Sequence, residues 1–453
     1  MSIRRFASIL LALALASLPY ITGPAHADTY RITVDGYWFQ GEGAQKKELE
    51  AAIRQQFPGC RIQFADDLSE NKVRDMILTR SADVDVLMIR SEHGFLAQMV
   101  EKGMYSDLSD VSLVQERVAA MYDVLRQAIT HAGQIAAYPL EMTIGPFQRW
   151  DAALAAQHGL REEKPATLED VNALMQAYGD HDRLFDGRTA LMYVNAYPLL
   201  HLSLDLYDAH MLAAESMLAY DTPLFRGLLQ QAMRLRDESW RSEVIKQRML
   251  DSVNQLSAHD ILTTNPLKET ELFLLRLNAS TPPSAGVALI CAVVNPLTGH
   301  PEEARAVVAW LAARQTPAEQ MLMMPSAQQP LINAHYEEEL AQKQADIAAM
   351  EAAVDQAEGA ERTQLENVLP QLRQQLEYMA RERQYLISAD RIAWYQQEVV
   401  PHLFVRGATP YESSQWAENR DALIYQLIGG SLNEAGFIRE MDSRVRLIRL
   451  ESQ

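Results

Sequence analysis

The chain has 453 residues, 48% apolar and 22% charged, which excludes a single small module and a disordered tail and calls for two or more domains. With 41 Lys and Arg against 60 Asp and Glu the net charge is −19, which works against a broad surface for nucleic acid or anionic lipid.

Residues 1–27 read as a secretory signal peptide: a basic start at Arg4 and Arg5, an apolar run from Ile9 to Leu18 too short to span a bilayer, and the small-x-small site Ala25-His26-Ala27. No later run of about 20 apolar residues would hold the chain in a membrane. The expected location is across the cytoplasmic membrane, periplasmic or at the cell surface. Cys60 and Cys291 both lie in apolar, strand-like stretches. They read as two buried thiols, with one disulfide as the alternative.

From residue 30 short strands alternate with helices. Tyr30 to Val34 alternates as a strand, Ala44 to Phe57 has the spacing of an amphipathic helix, Cys60 to Phe64 is a second strand and Ser69 to Ser81 a second helix. Val84 to Ile89 is a nearly continuous apolar run, the pattern of a strand buried on both faces. Further strands are predicted at Gln134 to Leu140, Thr143 to Trp150 and Gly286 to Val294. Helices are predicted at Leu168 to Tyr178, Leu224 to Asp237, Pro301 to Gln315 and Trp416 to Ile428. This alternation predicts an α/β fold, a mostly parallel sheet flanked by helices.

Between Ala334 and Leu386 the texture changes. Tyr336, Leu340, Ile347, Met350 and Val354 follow a 4-3 apolar spacing with Lys343 in one slot. Leu365, Leu369, Leu372, Leu376, Met379 and Leu386 resume it after Glu358-Gly359, with Arg383 in one slot. The pattern predicts an antiparallel coiled-coil hairpin, either packed on the body or projecting toward a partner, with Pro370 kinking the second arm or marking its start.

Catalytic signatures are nearly absent. The chain carries no P-loop, dinucleotide-binding, zinc-protease, dithiol or nucleophile-elbow pattern. Ser69-Glu-Asn-Lys72 matches S-x-x-K without its companion motifs. Carboxylates such as Glu42, Asp83, Asp85, Glu92, Glu141 and Asp151 could make a glycosidase pair, yet an acidic chain produces such pairs by composition alone. The residues therefore point away from an enzyme and require no metal or cofactor.

They point instead to binding at strand carboxyl ends, the ligand edge of open α/β sheets. The first strand ends in Asp35-Gly-Tyr-Trp-Phe-Gln-Gly-Glu-Gly43. Trp38 offers a platform for a sugar face and Gln40 and Glu42 partners for hydroxyls; the other reading has Tyr37 or Trp38 capping the core. After the strand at Val84 to Ile89 come Arg90 and Glu92, as ligand contacts or as an ion pair with each other.

Several stretches, in order, resemble the extracellular solute-binding proteins of ABC importers, the carbohydrate-type family 1 with a type 2 periplasmic-binding fold. They are Ala82 to Ile89, Leu96 to Leu108, His131 to Pro139, Phe147 to Gly159-Leu160 with Pro165-Ala-Thr-Leu-Glu-Asp170, Val293 to Leu311, and Gly429 to Asp442. The resemblance implies two α/β lobes joined by crossing strands: residues 28–137 with 286–330, and 138–285 with 388–453, the hairpin at 331–387 being an insertion. Hinges are expected at Tyr138-Pro139 and Ser284-Ala-Gly286. A monomer would capture a small molecule, a sugar favoured, between the lobes and deliver it to the transmembrane subunits of an ABC permease, without chemistry. Trp150 sits where the family has an aromatic residue and Asp151 where it usually has Asn. The expected ligand contacts are Trp38, Gln40, Glu42, Arg90, Glu92, Glu141, Trp150, Asp151 and Tyr197, which would equally suit a polyamine or, through Arg90, a carboxylate. A secreted scaffold or adhesion protein that holds a partner by its coiled coil is the alternative, and a glycoside-processing enzyme comes third.

Overall fold

A computed structural model describes residues 30–451 apart from 67, 161–162, 178–188, 192–195, 215–216, 235–246, 254, 264–269, 383 and 408–413. The expected signal peptide and the end of the helix expected at Leu224 to Asp237 lie outside the described residues.

Ten strands carry the architecture: β1 (Tyr30–Asp35), β2 (Cys60–Ala65), β3 (Val86–Arg90), β4 (Tyr138–Gly145), β5 (Phe147–Asp151), β6 (Leu250–Val253), β7 (Leu256–Ser257), β8 (Thr270–Phe273), β9 (Ala285–Val294) and β10 (Leu403–Val405). Seven form one sheet in the order β7-β4-β9-β3-β1-β2, with β10 also on β9; three form another in the order β6-β5-β8. The larger sheet is mixed rather than mostly parallel: β1 pairs β2 and β3 in parallel, while β9 runs antiparallel to both β3 and β4. The smaller sheet is wholly antiparallel. Alternation of strands and helices predicts parallel neighbours only where each helix returns the chain to the same edge. β9 arrives instead from the other sheet, and its direction is set by that crossing.

Buried apolar side chains form two clusters. One surrounds the larger sheet, from Ile32 to Phe147, with Ala285 to Met324 and Ile387 to Val399. The other surrounds the smaller sheet, from Trp150 to Leu250, with Phe273 to Leu277 and Trp416 to Val445. All ten residues of β9 are buried, each large apolar side chain stabilising the fold by roughly 1.5–3 kcal/mol. Cys60 and Cys291 are buried free thiols.

The chain passes between the clusters where β4 gives way to β5 at Gly145-Pro146, where β6 gives way to β7, between β8 and β9, and after β10. Tyr138-Pro139, expected as a hinge, lies inside β4, paired with Ala292 and Cys291 of β9. A segment locked into a ladder on a buried strand cannot bend freely; the crossing comes after Gly145.

The helices that bear on the site or flank it are α1 (Gly43–Gln56), α2 (Ala196–Ala213), α3 (Pro301–Ala313), α4 (Pro317–Met323), α5 (Tyr336–Gln356), α6 (Gly359–Glu382), α7 (Ser414–Ile428) and α8 (Glu434–Glu451). α5 and α6 run antiparallel against each other: the Tyr336 hydroxyl donates to the Ala380 carbonyl at 3.2 Å, Lys343 to Gln375 at 3.1 Å, and Arg373 pairs with Glu351 at 2.6 Å. Pro370 lies inside α6, which continues through it. A two-stranded ribbon, Leu331–Ile332 with Tyr385–Ile387, closes the base of this hairpin. Among the described residues no helix is long and apolar enough to cross a membrane.

Candidate functional site

On β9, residues alternate between two faces of the sheet. Val287 and Leu289 are 0% exposed, whereas Ala288 and Ile290, on the opposite face, retain 7% and 9%. That second face carries a polar row, because Ile290 is in register with Arg90 of β3 on one side and Glu141 of β4 on the other. Two residues along, Ala288 is opposite Thr143; two further, Gly286 is opposite Gly145. The floor is thus made of small residues flanked by Arg90, Glu141 and Thr143.

Two strand ends meet over this floor. β3 runs antiparallel to β9 and ends at Arg90, level with Ile290; β10 runs parallel to β9 and ends at Val405, level with Val287. Their carboxyl ends therefore converge on residues 288–290. The contact is close: a Cβ on Gly407, at φ +88°, would lie 1.4 Å from the Ser91 carbonyl oxygen. The backbone of Gly286 faces the aliphatic stem of Arg406, whose Cδ would stand 2.8 Å from an added Cβ, so the absent side chain leaves room for Arg406 over the floor. A point where strand carboxyl ends face one another is where open α/β sheets take ligands. Arg406, Thr143 and Gly407 were not singled out in the sequence, and Gly286 was named there only as part of an expected hinge, since their place at the floor depends on pairing between strands more than 100 residues apart.

Around the floor, Arg90 and Glu92 form an ion pair at 2.9 Å and the Gln255 amide donates to the other Glu92 oxygen at 2.7 Å. The Ser91 hydroxyl accepts from the Leu289 amide at 3.0 Å and fixes the turn after β3. Burial raises the Glu141 carboxyl above its ordinary range; Glu319 adds to the rise and Arg90 opposes it. The arrangement offers a guanidinium, partly buried carboxylates and a hydroxyl around an apolar strip, a set suited to a hydroxylated ligand laid on the sheet. Among the described residues no group of three or more His, Cys, Asp or Glu is placed to hold a metal ion.

Of the nine expected contacts the structure brings Arg90, Glu92 and Glu141 together. The loop after β1 flanks the same sheet edge: Gln40 and Glu42 are exposed and Trp38 is half-buried against the first cluster. The core cap here is Phe39, fully buried beside Phe64 and Trp310. Three expectations take other places. Trp150 is 0% exposed inside the second cluster, so its indole faces protein, not ligand. Asp151 accepts from the Leu154 amide at 2.8 Å, capping the short helix Ala152–Gln157; a carboxylate does this as well as the amide expected there. Tyr197 packs at 4.3 Å from the His201 ring and 5.0 Å from that of Tyr425, within the second cluster.

No family model and no curated protein matches the chain. Solved structures do. A maltose-bound MalE3 of T. maritima is 13% identical, with a TM-score of 0.51 over 93% of this chain and 100% of that one. A sugar transporter protein of Rhizobium etli in an open conformation is 11% identical, with 0.54 over 92% and 99%. An ABC transporter solute-binding protein of Agrobacterium vitis with bound D-mannitol is 12% identical, with 0.53 over 94% and 99%. The chain therefore has the fold of the two-lobed periplasmic binding proteins over nearly its whole length.

Proposed function

We propose that this protein is the extracytoplasmic solute-binding component of an ABC import system, a binder and not an enzyme. It takes a small polar ligand, a sugar or polyol, on the floor formed by β4, β9 and the converging ends of β3 and β10, and presents it to a membrane permease. The observation that carries this is the floor itself: Arg90, Glu141 and Thr143 in register around the small residues Gly145, Gly286 and Ala288, beside strands that pass from one cluster to the other. Two solved relatives of the fold hold maltose and D-mannitol, which supports a hydroxylated ligand. The two clusters are the two lobes, and the crossings at Gly145-Pro146, between β6 and β7 and between β8 and β9 are the hinge.

Each residue then has a task. Arg90 and Glu141 bracket the ligand across the sheet, each meeting a hydroxyl with a charge-assisted hydrogen bond. Gln40 and Glu42 reach it from the loop after β1, and Trp38 gives that loop an aromatic face. Lobe closure excludes water and strengthens every polar contact made inside.

A thermal-shift screen against mono- and disaccharides and polyols tests this, because a ligand that binds only the folded state raises the melting temperature. One sugar or polyol is expected to give a shift that Arg90→Ala and Glu141→Gln each remove. A panel with no shift overturns the proposal.

A further inference from the structure

We propose that Gln315 is a positioning residue: its buried amide holds a bulge in β4 that turns the Glu141 side chain onto the exposed face of the floor. That Glu141 meets a ligand rests on the reading of the floor given above; how it comes to face that way does not. From Gly286 to Ile290 the pairing of β9 with β4 is regular, with Gly286 opposite Gly145, Ala288 opposite Thr143 and Ile290 opposite Glu141. The next residue of β9, Cys291, is opposite Pro139, and Ala292 is opposite Tyr138. β4 therefore advances two residues where β9 advances one, and Leu140 is the extra residue of a β-bulge. A straight ladder that kept Tyr138 opposite Ala292 would set Glu141 opposite Leu289, on the buried face of the sheet. With the bulge in place, Leu140, Met142 and Ile144 are buried, and Glu141 and Thr143 between them stay half-buried on the floor side.

The bulge is held by one side chain. Gln315, buried in the link between α3 and α4, donates from Nε2 to the Pro139 carbonyl at 2.8 Å and to the Leu140 carbonyl at 3.1 Å. Its Oε1 accepts from the Tyr138 hydroxyl and, at 3.2 Å, from Arg117 of the helix Ser112–Ala120. Nε2 also lies 3.6 Å from the Met323 sulfur. Arg117 is fixed in turn by the Ala312 carbonyl and, at 3.4 Å, by the Tyr138 hydroxyl. A guanidinium can only donate and the two carbonyls can only accept, so the amide has one orientation here, with both hydrogens and both lone pairs engaged. Pro139 fits the same place, because a residue without an N–H is tolerated in a sheet at a bulge. Bulges beside sites re-aim side chains; the one re-aimed here is Glu141, the residue after Leu140.

The test needs no ligand. In the mature chain, Glu141→Cys is expected to react with a water-soluble maleimide and Leu140→Cys to be protected, as native Cys60 and Cys291 are by burial. Cys291, opposite Pro139, reports any loosening of the ladder itself. Adding Gln315→Met removes both hydrogen bonds to the bulge, which shifts the balance between bulged and straight ladders by on the order of tenfold or more. Labelling, followed peptide by peptide, is expected to slow at position 141 and quicken at 140 while Cys291 stays protected. Gln315→Glu keeps the acceptor for Arg117 and Tyr138 and loses only the donor, and it is expected to do the same; either variant suffices. Rates at 140 and 141 that match the parent's overturn the proposal, because the amide then does not hold the bulge. Rates that rise together with that of Cys291 overturn it too, since Gln315 then only supports the fold. None of these results bears on whether a sugar binds, which the melting screen decides separately.

Discussion

Gly407 concentrates more constraint than any other single position of the site. Its φ of +88° is strained for any residue with a Cβ, and the Ser91 carbonyl occupies the space that a Cβ would need. Gly407→Ala is expected to lower stability by at least about 1–3 kcal/mol through backbone strain alone and to separate β10 from the end of β3, abolishing the ligand-induced melting shift; urea denaturation with and without ligand checks both. A second residue-scale prediction concerns Asp208. Asp205 and Asp208 share the guanidinium of Arg420, at 3.0 and 3.2 Å, and burial pushes the Asp208 carboxyl up to about 6 although Arg420 opposes the rise. Two acids around one cation leave an excess negative charge in the interior, and Asp208, which also accepts from the buried Tyr220 hydroxyl at 2.8 Å, carries it. Because the folded value lies above the ordinary 3.8, protonation favours the fold: the contribution is complete below about 4 and is lost as pH rises through about 6. The melting-temperature difference between the parent and Asp208→Asn is therefore expected to be more favourable to the parent at pH 4 than at pH 7.

Among elements, the contrast between Trp38 and Trp150 separates binding from packing. Trp150→Ala is expected to cost about 3–5 kcal/mol, as truncation of a fully buried aromatic does, whereas Trp38→Ala weakens ligand capture with a smaller effect on unfolding; chemical denaturation of both variants decides. Much of this level was legible in the sequence. Apolar runs with strand spacing placed β1, β2, β3 and β9 within a residue or two, and Arg90, Glu92 and Glu141, which the structure sets side by side and which we propose as contacts, were picked out because polar residues at strand ends stand out against buried runs. What could not be read was pairing. Nothing local distinguishes Trp38 on a surface loop from Trp150 in a core, and the antiparallel entry of β9 is decided by where the preceding 140 residues fold, so strand direction and the glycine floor stayed hidden. The α5–α6 hairpin is a different case. Its buried side chains, Ile347, Val354 and Met379, face its own partner arm, and its base is closed by the ribbon and by the Asn333 amide donating to the Gln384 carbonyl at 3.0 Å. Replacing residues 336–382 with a short Gly-Ser turn is accordingly expected to leave the cooperative melt of the body intact; a broad or multi-step transition would show that the hairpin supports the lobes.

At the scale of the molecule, β9 joins everything: it pairs with β4 along one edge and with β3 and β10 along the other, and it is fed from the opposite sheet. On the proposed function two bodies turn about a few crossing segments, and small-angle scattering is expected to report a smaller radius of gyration with a bound sugar than without. The position of β9 also has a temporal side. The ribosome delivers β1 to β4 first, but the strand that must lie between β3 and β4 comes only at residues 285–294, and β10 later still, at 403–405. Until then two apolar strands present open edges to each other's vacant place, and contacts so distant along the chain close slowly. A nascent chain of this sequence therefore cannot complete its larger sheet during most of its synthesis, and it stays available to chaperones until nearly all of it has been made.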